Sequence, residues 1–347
     1  MQTVLRAAVI GVGSMGRNHA RVYAGMEDIE LVAVCDVNAA NAERVGAMYR
    51  CNAYSDYHTM LEREQIDLVS IVVPTAEHYA VASDVIHHGV SVLIEKPIAA
   101  TIEQGQALIH AAQQAGVILT VGHIERFNPA IIALKEQLAD GELGHIFQIN
   151  ARRVGPFPAR IMDVGVVIDL ATHEMDILNY LIDSEISRMH VELHRHIHAS
   201  HEDMLSAILR FQNGVIGSLD INWLTPTKIR ELSVIGERGM YVANYLTQDL
   251  TFYENDYCQQ HKQWQELARM GVTEGRVIRQ KVQRREPLFE ELRSFGAAVR
   301  GEHEPRVRGE DGLRALMLAN ELVRQGTRTN EPLFTMPQLE RAVGAHA

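Results

Sequence analysis

Two groups of residues have types and spacing suited to chemistry. The first is Gly11-Val12-Gly13-Ser14-Met15-Gly16, which follows an apolar run and opens an amphipathic one. In that setting Gly11 permits a tight turn, Gly13 lets a pyrophosphate approach the backbone, and Gly16 lets a helix pack closely on a strand. Ser14 and Met15 begin the helix, whose free N–H groups and positive dipole end suit phosphate. Asp36 ends the next apolar run, twenty residues after Gly16. Its carboxylate would accept hydrogen bonds from a ribose and repel a 2'-phosphate, and Val37-Asn38 supply no compensating arginine. The expected cofactor is NAD, not NADP. Pro74 and Thr75 close a third apolar run where ligands bind in doubly wound folds. His78 follows, either touching the cofactor or standing as an ordinary helix histidine.

The second group is a set of acids and bases. Glu95-Lys96-Pro97 ends a further strand, which brings Lys96 near the expected nicotinamide and Glu95 near its ribose. A proline there allows a cis peptide at small cost. Asp169 and His173 stand four apart and so share one helical face. Histidine suits general-base work in alcohol oxidation because its pKa lies near neutrality. Asp169 can orient the ring, and Asp176, one turn on, can do so instead. The sequence leaves open which of Lys96 and His173 is the base. Arg152, Arg153 and Arg160, with Lys228 and Arg230, form two cationic groups. Guanidinium groups recognise phosphate by forked hydrogen bonds, though pairing with carboxylates is an even alternative.

His190, His194, His196 and His198 alternate with Val191, Leu193 and Ile197. The aliphatic side reads as the buried one, so the histidines are expected on an open sheet face and no metal site is expected. Three scattered cysteines without a CxxC pair give no zinc signature and suit a reducing cytoplasm. A net charge of −11 argues against nonspecific nucleic-acid binding. No apolar run approaches a membrane span.

These residues need a scaffold to position them. Apolar runs at residues 4–10, 31–35, 68–73, 91–94 and 117–121 alternate with amphipathic stretches at 15–26, 39–49, 57–64, 77–88 and 102–115. That pattern predicts an α/β fold, with a doubly wound parallel sheet over residues 1–122. Residues 123–347 are expected to form a second α/β domain for substrate binding and oligomerisation. Its helices are expected at 128–138 and 168–182. Consecutive strands at 146–154, 189–198, 204–211, 215–223 and 228–235 predict an open, mostly antiparallel sheet. Residues 257–285 read as polar and partly helical, with closing helices at 287–300 and 309–325.

GVGSMGRNHARV, EKP and DLATHEMD, in that order and spacing, resemble the glucose–fructose oxidoreductase, inositol dehydrogenase and MocA family over nearly the whole chain. The resemblance implies a Rossmann domain, a C-terminal domain with an open sheet, and Lys96, Asp169 and His173 as the catalytic group. Gly165-Val166 departs from the family's usual glycine pair. Arg126 joins the cofactor-binding residues. VGHIERFNPA, RRVGPFPARIMDVGVVIDLATHEMDI and NWLTPTKIREL are similar to the branch that oxidises UDP-N-acetylglucosamine at C3. Arg152, Arg160, Lys228 and Arg230 would then meet the substrate beside Lys96, Asp169 and His173. An aminotransferase would consume the 3-keto product on the way to lipid A or another glycoconjugate. An exposed sheet face invites self-association, and the resemblance implies a homotetramer. The alternatives are a polyol dehydrogenase, a dehydrogenase of a C6-carboxylated UDP-sugar, and a non-catalytic sensor of NAD or sugar.

Overall fold

A computed structural model of the protein describes residues 4–158, 164–256 and 273–327. The first sheet contains β1 (Leu5–Ile10), β2 (Ile29–Cys35), β3 (Asn52–Tyr54), β4 (Leu68–Ile71), β5 (Ser91–Ile94) and β6 (Leu119–Val121). All pairs are parallel and the order is β3-β2-β1-β4-β5-β6. Strand order reverses between β1 and β4, which opens a crevice beyond their carboxyl ends. Ala8 and Ile10 of β1 enter one apolar cluster, and Leu5, Ala7 and Val9 enter another. Both faces are covered, so the strand is apolar without alternation. The covering helices include α1 (Ser14–Ala24), α2 (Ala39–Tyr49), α3 (Tyr57–Arg63), α4 (His78–His87) and α5 (Ile102–Ala115). β3 was not legible in the sequence: it has three residues and none is buried.

The second unit starts with α6 (Pro129–Ala139) and β7 (Ile146–Val154), followed by α7 (Thr172–Ile182). β8 (Ile186–His194), β9 (Met204–Phe211), β10 (Ile216–Asn222), β11 (Ile229–Gly236), β12 (Gly239–Asn244), β13 (Asp249–Asp256) and β14 (Thr273–Arg279) follow. The order is β14-β13-β12-β11-β7-β10-β9-β8. The open, mostly antiparallel sheet is borne out, with one change to the expected run of neighbours. β7 inserts between β10 and β11 and runs parallel to β10. Of residues 257–285, expected to be polar and partly helical, 257–272 lie outside the described residues, and Thr273–Arg279 is a strand paired with β13.

In the histidine run, His190, His194 and His196 are exposed, and the expectation is corrected at His198. β8 ends at His194 because the Asp203 carboxylate accepts the backbone N–H groups of His196, Ile197 and His198 and turns the chain. That turn reverses the alternation: Ile197 is 62% exposed and His198 is buried. No metal-ligating cluster occurs among the described residues.

Two closing helices tie the units together. α8 (Pro287–Val299) places Leu288, Leu292 and Phe295 in the cluster that contains Val9, Tyr23 and Ile29 of the first unit. α9 (Gly309–Gly326) contributes Leu316 to one core, and Ala319 and Leu322 to the other. No described helix is long and apolar enough to cross a membrane.

Candidate active site

The glycine turn shows which of its residues serve the fold and which serve a ligand. A Cβ on Gly11, at φ +87°, would stand 2.4 Å from the Val72 carbonyl oxygen, and one on Gly16 would stand 1.8 Å from that of Gly11. A Cβ on Gly13 would meet no atom within 4 Å. Gly13 caps α1, with no side chain on the cap and no acid in the first turn. The helix therefore offers free N–H donors to an open cradle, which fits a dinucleotide pyrophosphate. Alongside lies a cavity of ≈ 720 Å³ lined by Gly11, Gly13, Asp36, Val73, Pro74 and Tyr57, among others. Asp36 is fixed at the end of β2: its two carboxylate oxygens accept the N–H groups of Val12 and Asn38, each at 2.9 Å. Thr75 starts the short turn into α4 beside Pro74.

Three residues expected to contact the cofactor are engaged by protein partners. His78 is buried, with Nδ1 2.8 Å from the Pro97 carbonyl oxygen and Nε2 3.0 Å from that of Val73. Both ring nitrogens are committed to backbone, so the residue braces the loop that carries Lys96. Arg126 is buried as well: its guanidinium donates to Asp176 at 2.7–3.1 Å and pairs with Asp311 at 3.2 Å. Those carboxylates take up the charge expected to meet the cofactor. Glu95 faces His19 at 3.1 Å. Burial opposes its ionisation, but His19 and Lys96 outweigh burial and hold its carboxyl below the usual range.

Lys96 and Asp169 do meet. The Lys96–Pro97 peptide is cis. Lys96 Nζ donates to the Asp169 carbonyl oxygen at 2.8 Å and to its Oδ1 at 3.2 Å. Asp169 lies in a π-type turn, Val167–Ala171, just before α7. Gly165 has its reason here too, because a Cβ would collide with Glu202 at 2.0 Å. Glu202 accepts the Val166 N–H on its carbonyl and the Val167 N–H on its carboxylate, so the β8–β9 loop anchors the start of this helix. The expected Asp169–His173 pairing is corrected. Asp169 is bound to Lys96 and Asp176 to Arg126, while His173 Nδ1 is buried without a protein partner. Burial and the neighbouring charges of Lys96, Arg153, His123 and Arg230 push the His173 pKa well below 6.5, so the ring is neutral.

The cations divide by strand alternation. Arg152 points to the open face of the sheet and pairs with Asp220 at 3.1 Å, which removes it from the site. Arg153 points inward and is buried against Glu174 and Glu125, with Tyr245 donating to Glu174 at 3.0 Å. Arg230 is 9% exposed and donates to the carbonyls of Val154 and Ile229 at 2.8 and 3.1 Å, with no carboxylate bonded to it among the described residues. Burial and Arg153 push its pKa down to about 10. Lys228 is lowered by burial, then by Arg230 and Arg153. Arg160 lies outside the described residues. The sequence reading missed Glu125, Glu174 and Tyr245. It had the signal to separate Arg152 from Arg153, since Ile149 and Ala151 share the inward face with Arg153.

Comparison with known proteins adds a lineage. A family model described as an oxidoreductase family with an NAD-binding Rossmann fold matches residues 5–123, and the GFO/IDH/MocA C-terminal domain matches residues 131–242. A UDP-N-acetylglucosamine 3-dehydrogenase of Acidithiobacillus ferrooxidans is 32% identical over 72% of this chain and 77% of its own. A myo-inositol 2-dehydrogenase of Thermotoga maritima is 26% identical over 90% and 94%. A solved structure of the Acidithiobacillus ferrooxidans UDP-N-acetylglucosamine 3-dehydrogenase superposes with a TM-score of 0.80 at 29% identity, covering 92% of this chain and 97% of that one.

Proposed function

The chain belongs to the GFO/IDH/MocA family of NAD-binding oxidoreductases, and from that premise we propose that it oxidises the C3 hydroxyl of UDP-N-acetylglucosamine. The observation that carries this reading is Arg230. A buried guanidinium with no carboxylate bonded to it among the described residues, its charge opposed by burial and a neighbouring arginine, would be stabilised by an anionic ligand. Lys228 adds to that field. A diphosphate matches it, and an uncharged polyol does not. The similarity to UDP-N-acetylglucosamine 3-dehydrogenase supports the same choice.

In this proposal the glycine turn, Asp36 and Pro74 hold NAD, which supplies the hydride acceptor. Asp169 fixes Lys96 by two hydrogen bonds, so the ammonium is aimed before substrate arrives. Lys96 donates to the C3 oxygen and stabilises the charge that grows there as the C–H bond breaks. His173, kept neutral, takes the hydroxyl proton. The buried Arg153–Glu174 pair holds the turn of α7 that bears it. The 3-keto product is an aminotransferase substrate, and the 3-amino sugar would serve lipid A or another glycoconjugate made from the cytoplasm. The outward-facing Ile208, Ile216, Tyr253 and Val277, all 39–58% exposed, are the proposed contact surface of a homotetramer.

The test is NADH formation from UDP-N-acetylglucosamine, with an aminotransferase and amino donor to trap the ketone. N-acetylglucosamine alone should give little, because remote binding energy positions the sugar. Oxidation of free inositol or glucose, without any activity on a UDP-sugar, would replace the substrate and keep the oxidoreductase. Preference for the C6-carboxylated UDP-sugar would move the assignment to that substrate. Binding of NAD and UDP-sugar without turnover would identify a sensor.

A further inference from the structure

The wall of the nucleotide cavity carries a second acid that the glycine–aspartate motif does not include. Asp36 donates its backbone N–H to the Tyr54 carbonyl at 3.1 Å, and Cys35 and Tyr54 are paired across β2 and β3. This register lays Ser55-Asp56 beside Asp36-Val37 at the carboxyl edge of the sheet, and all four residues line the cavity. Glu77 lines it from the far side, and no lysine or arginine belongs to the described lining. The Asp56 carboxylate caps α3: Oδ1 accepts from the His58 N–H at 3.4 Å, and Oδ2 from the Thr59 N–H at 3.0 Å and the Thr59 hydroxyl at 2.6 Å. Capping consumes its hydrogen bonds and not its charge.

We propose that Asp56 is a second specificity residue for the cofactor, so that exclusion of a 2'-phosphate is shared between the β2 end and the α3 cap. Asp36 can contact a ribose directly. Asp56 acts at a distance, through an uncompensated negative field that a 2'-phosphate would enter. Two further features support this. The Thr59 hydroxyl and backbone hold Asp56 below the usual carboxylate range, so it is ionised throughout the working pH range. The Cys35 thiol, at the end of β2, is pushed up to about 12 by burial, then by Asp56, then by Asp36, so both carboxylates bear on the same spot. A consequence is that removing Asp36 alone leaves NADP disfavoured.

Asp56→Asn is a clean probe, because asparagine caps a helix as well as aspartate does. Binding of NADH and NADPH is followed by fluorescence titration in wild type, Asp56→Asn, Asp36→Ser and the double variant. At low ionic strength Asp56→Asn should tighten NADPH by roughly three- to fivefold, as exposed charge pairs allow. NADH should move by less than about twofold, and the NADPH gain should fade as salt shortens the Debye length from roughly 30 Å at 0.01 M to 10 Å at 0.1 M. The double variant should bind NADPH more tightly than Asp36→Ser. Equal shifts for both cofactors would make Asp56 a structural cap only, and an unchanged NADPH affinity in either background would remove it from cofactor choice.

Discussion

The seat for the dinucleotide is made of backbone, and the seat for the reacting hydroxyl is made of side chains. At the first, six consecutive residues supply a turn, a cradle and a helix end, and Asp36 is held by two backbone N–H groups. At the second, Lys96 follows β5, Asp169 and His173 straddle the start of α7, Arg153 comes from β7, and Arg230 comes from β11. The backbone seat needs glycine where glycine is sterically forced. The side-chain seat needs a buried ion network to hold its parts, and burial, then Lys96 and Arg153 of that network, lowers the pKa of His173.

The comparison breaks most visibly at the acid–base groups. Lys96→Ala and His173→Asn should each lower kcat by roughly a hundredfold or more, the usual range for general acid–base groups. NADH affinity and the melting temperature should stay near wild type. A neutral base is active when deprotonated, so kcat/KM should fall as pH drops through the folded pKa of His173. That value lies below 6.5, and the acid limb should lie there too. Near-normal turnover in His173→Asn would move the base to Lys96.

The backbone seat is sharpened by two glycines that a motif treats alike. Gly13→Ala should leave the apo-protein melting temperature unchanged, since nothing lies within 4 Å of the new methyl. It should weaken NADH about tenfold, or 1.4 kcal/mol. Gly16→Ala should lower the melting temperature itself, because its methyl meets the Gly11 carbonyl; overpacking of this kind costs about 1–3 kcal/mol. If both variants lose only affinity, the division between fold and ligand fails.

The smallest effect concerns Glu291 of α8, buried with neither carboxylate oxygen bonded. Burial, then Glu95 and Glu125, raise its pKa well above 4.5. The folded state thus holds a proton that the unfolded state releases. The associated stability is full below pH 4.5 and is lost as pH rises through the folded value. Glu291→Gln should leave the melting temperature unchanged at pH 4 and raise it at pH 8, by about 1–2 °C for each ~1 kcal/mol recovered. Parallel curves would show that Glu291 stays ionised.

What was legible in the sequence follows the same division. α2, α5, β5, β7 and β9 fall on their expected residues because each is signalled by its own apolar period. The dinucleotide seat was readable because all its signals lie within 26 residues, from Gly11 to Asp36. Arg126 was misplaced because its partner, Asp176, is 50 residues away, and His78 because its brace, Pro97, lies on another loop. A charge seen without its counter-charge looks available. β12 to β14 lacked a clean alternation because apolar residues stand on both sides: Met240, Val242, Tyr253 and Val277 face outward, and Tyr241, Ala243 and Phe252 face inward. Their pairing partners, not their own sequence, make them strands.

The return of α8 to the first unit limits how the molecule can be assembled during synthesis. Val9, Tyr23 and Ile29 leave the ribosome early, yet Leu292 and Phe295, which complete their cluster, emerge more than 260 residues after Ile29. At about 5–20 residues per second the nascent chain carries that apolar socket uncovered for roughly ten seconds or longer. Throughout that interval the N-terminal unit is a half-closed intermediate, open to chaperones and to aggregation. Its last turn of core arrives only after every strand of the second sheet has been made.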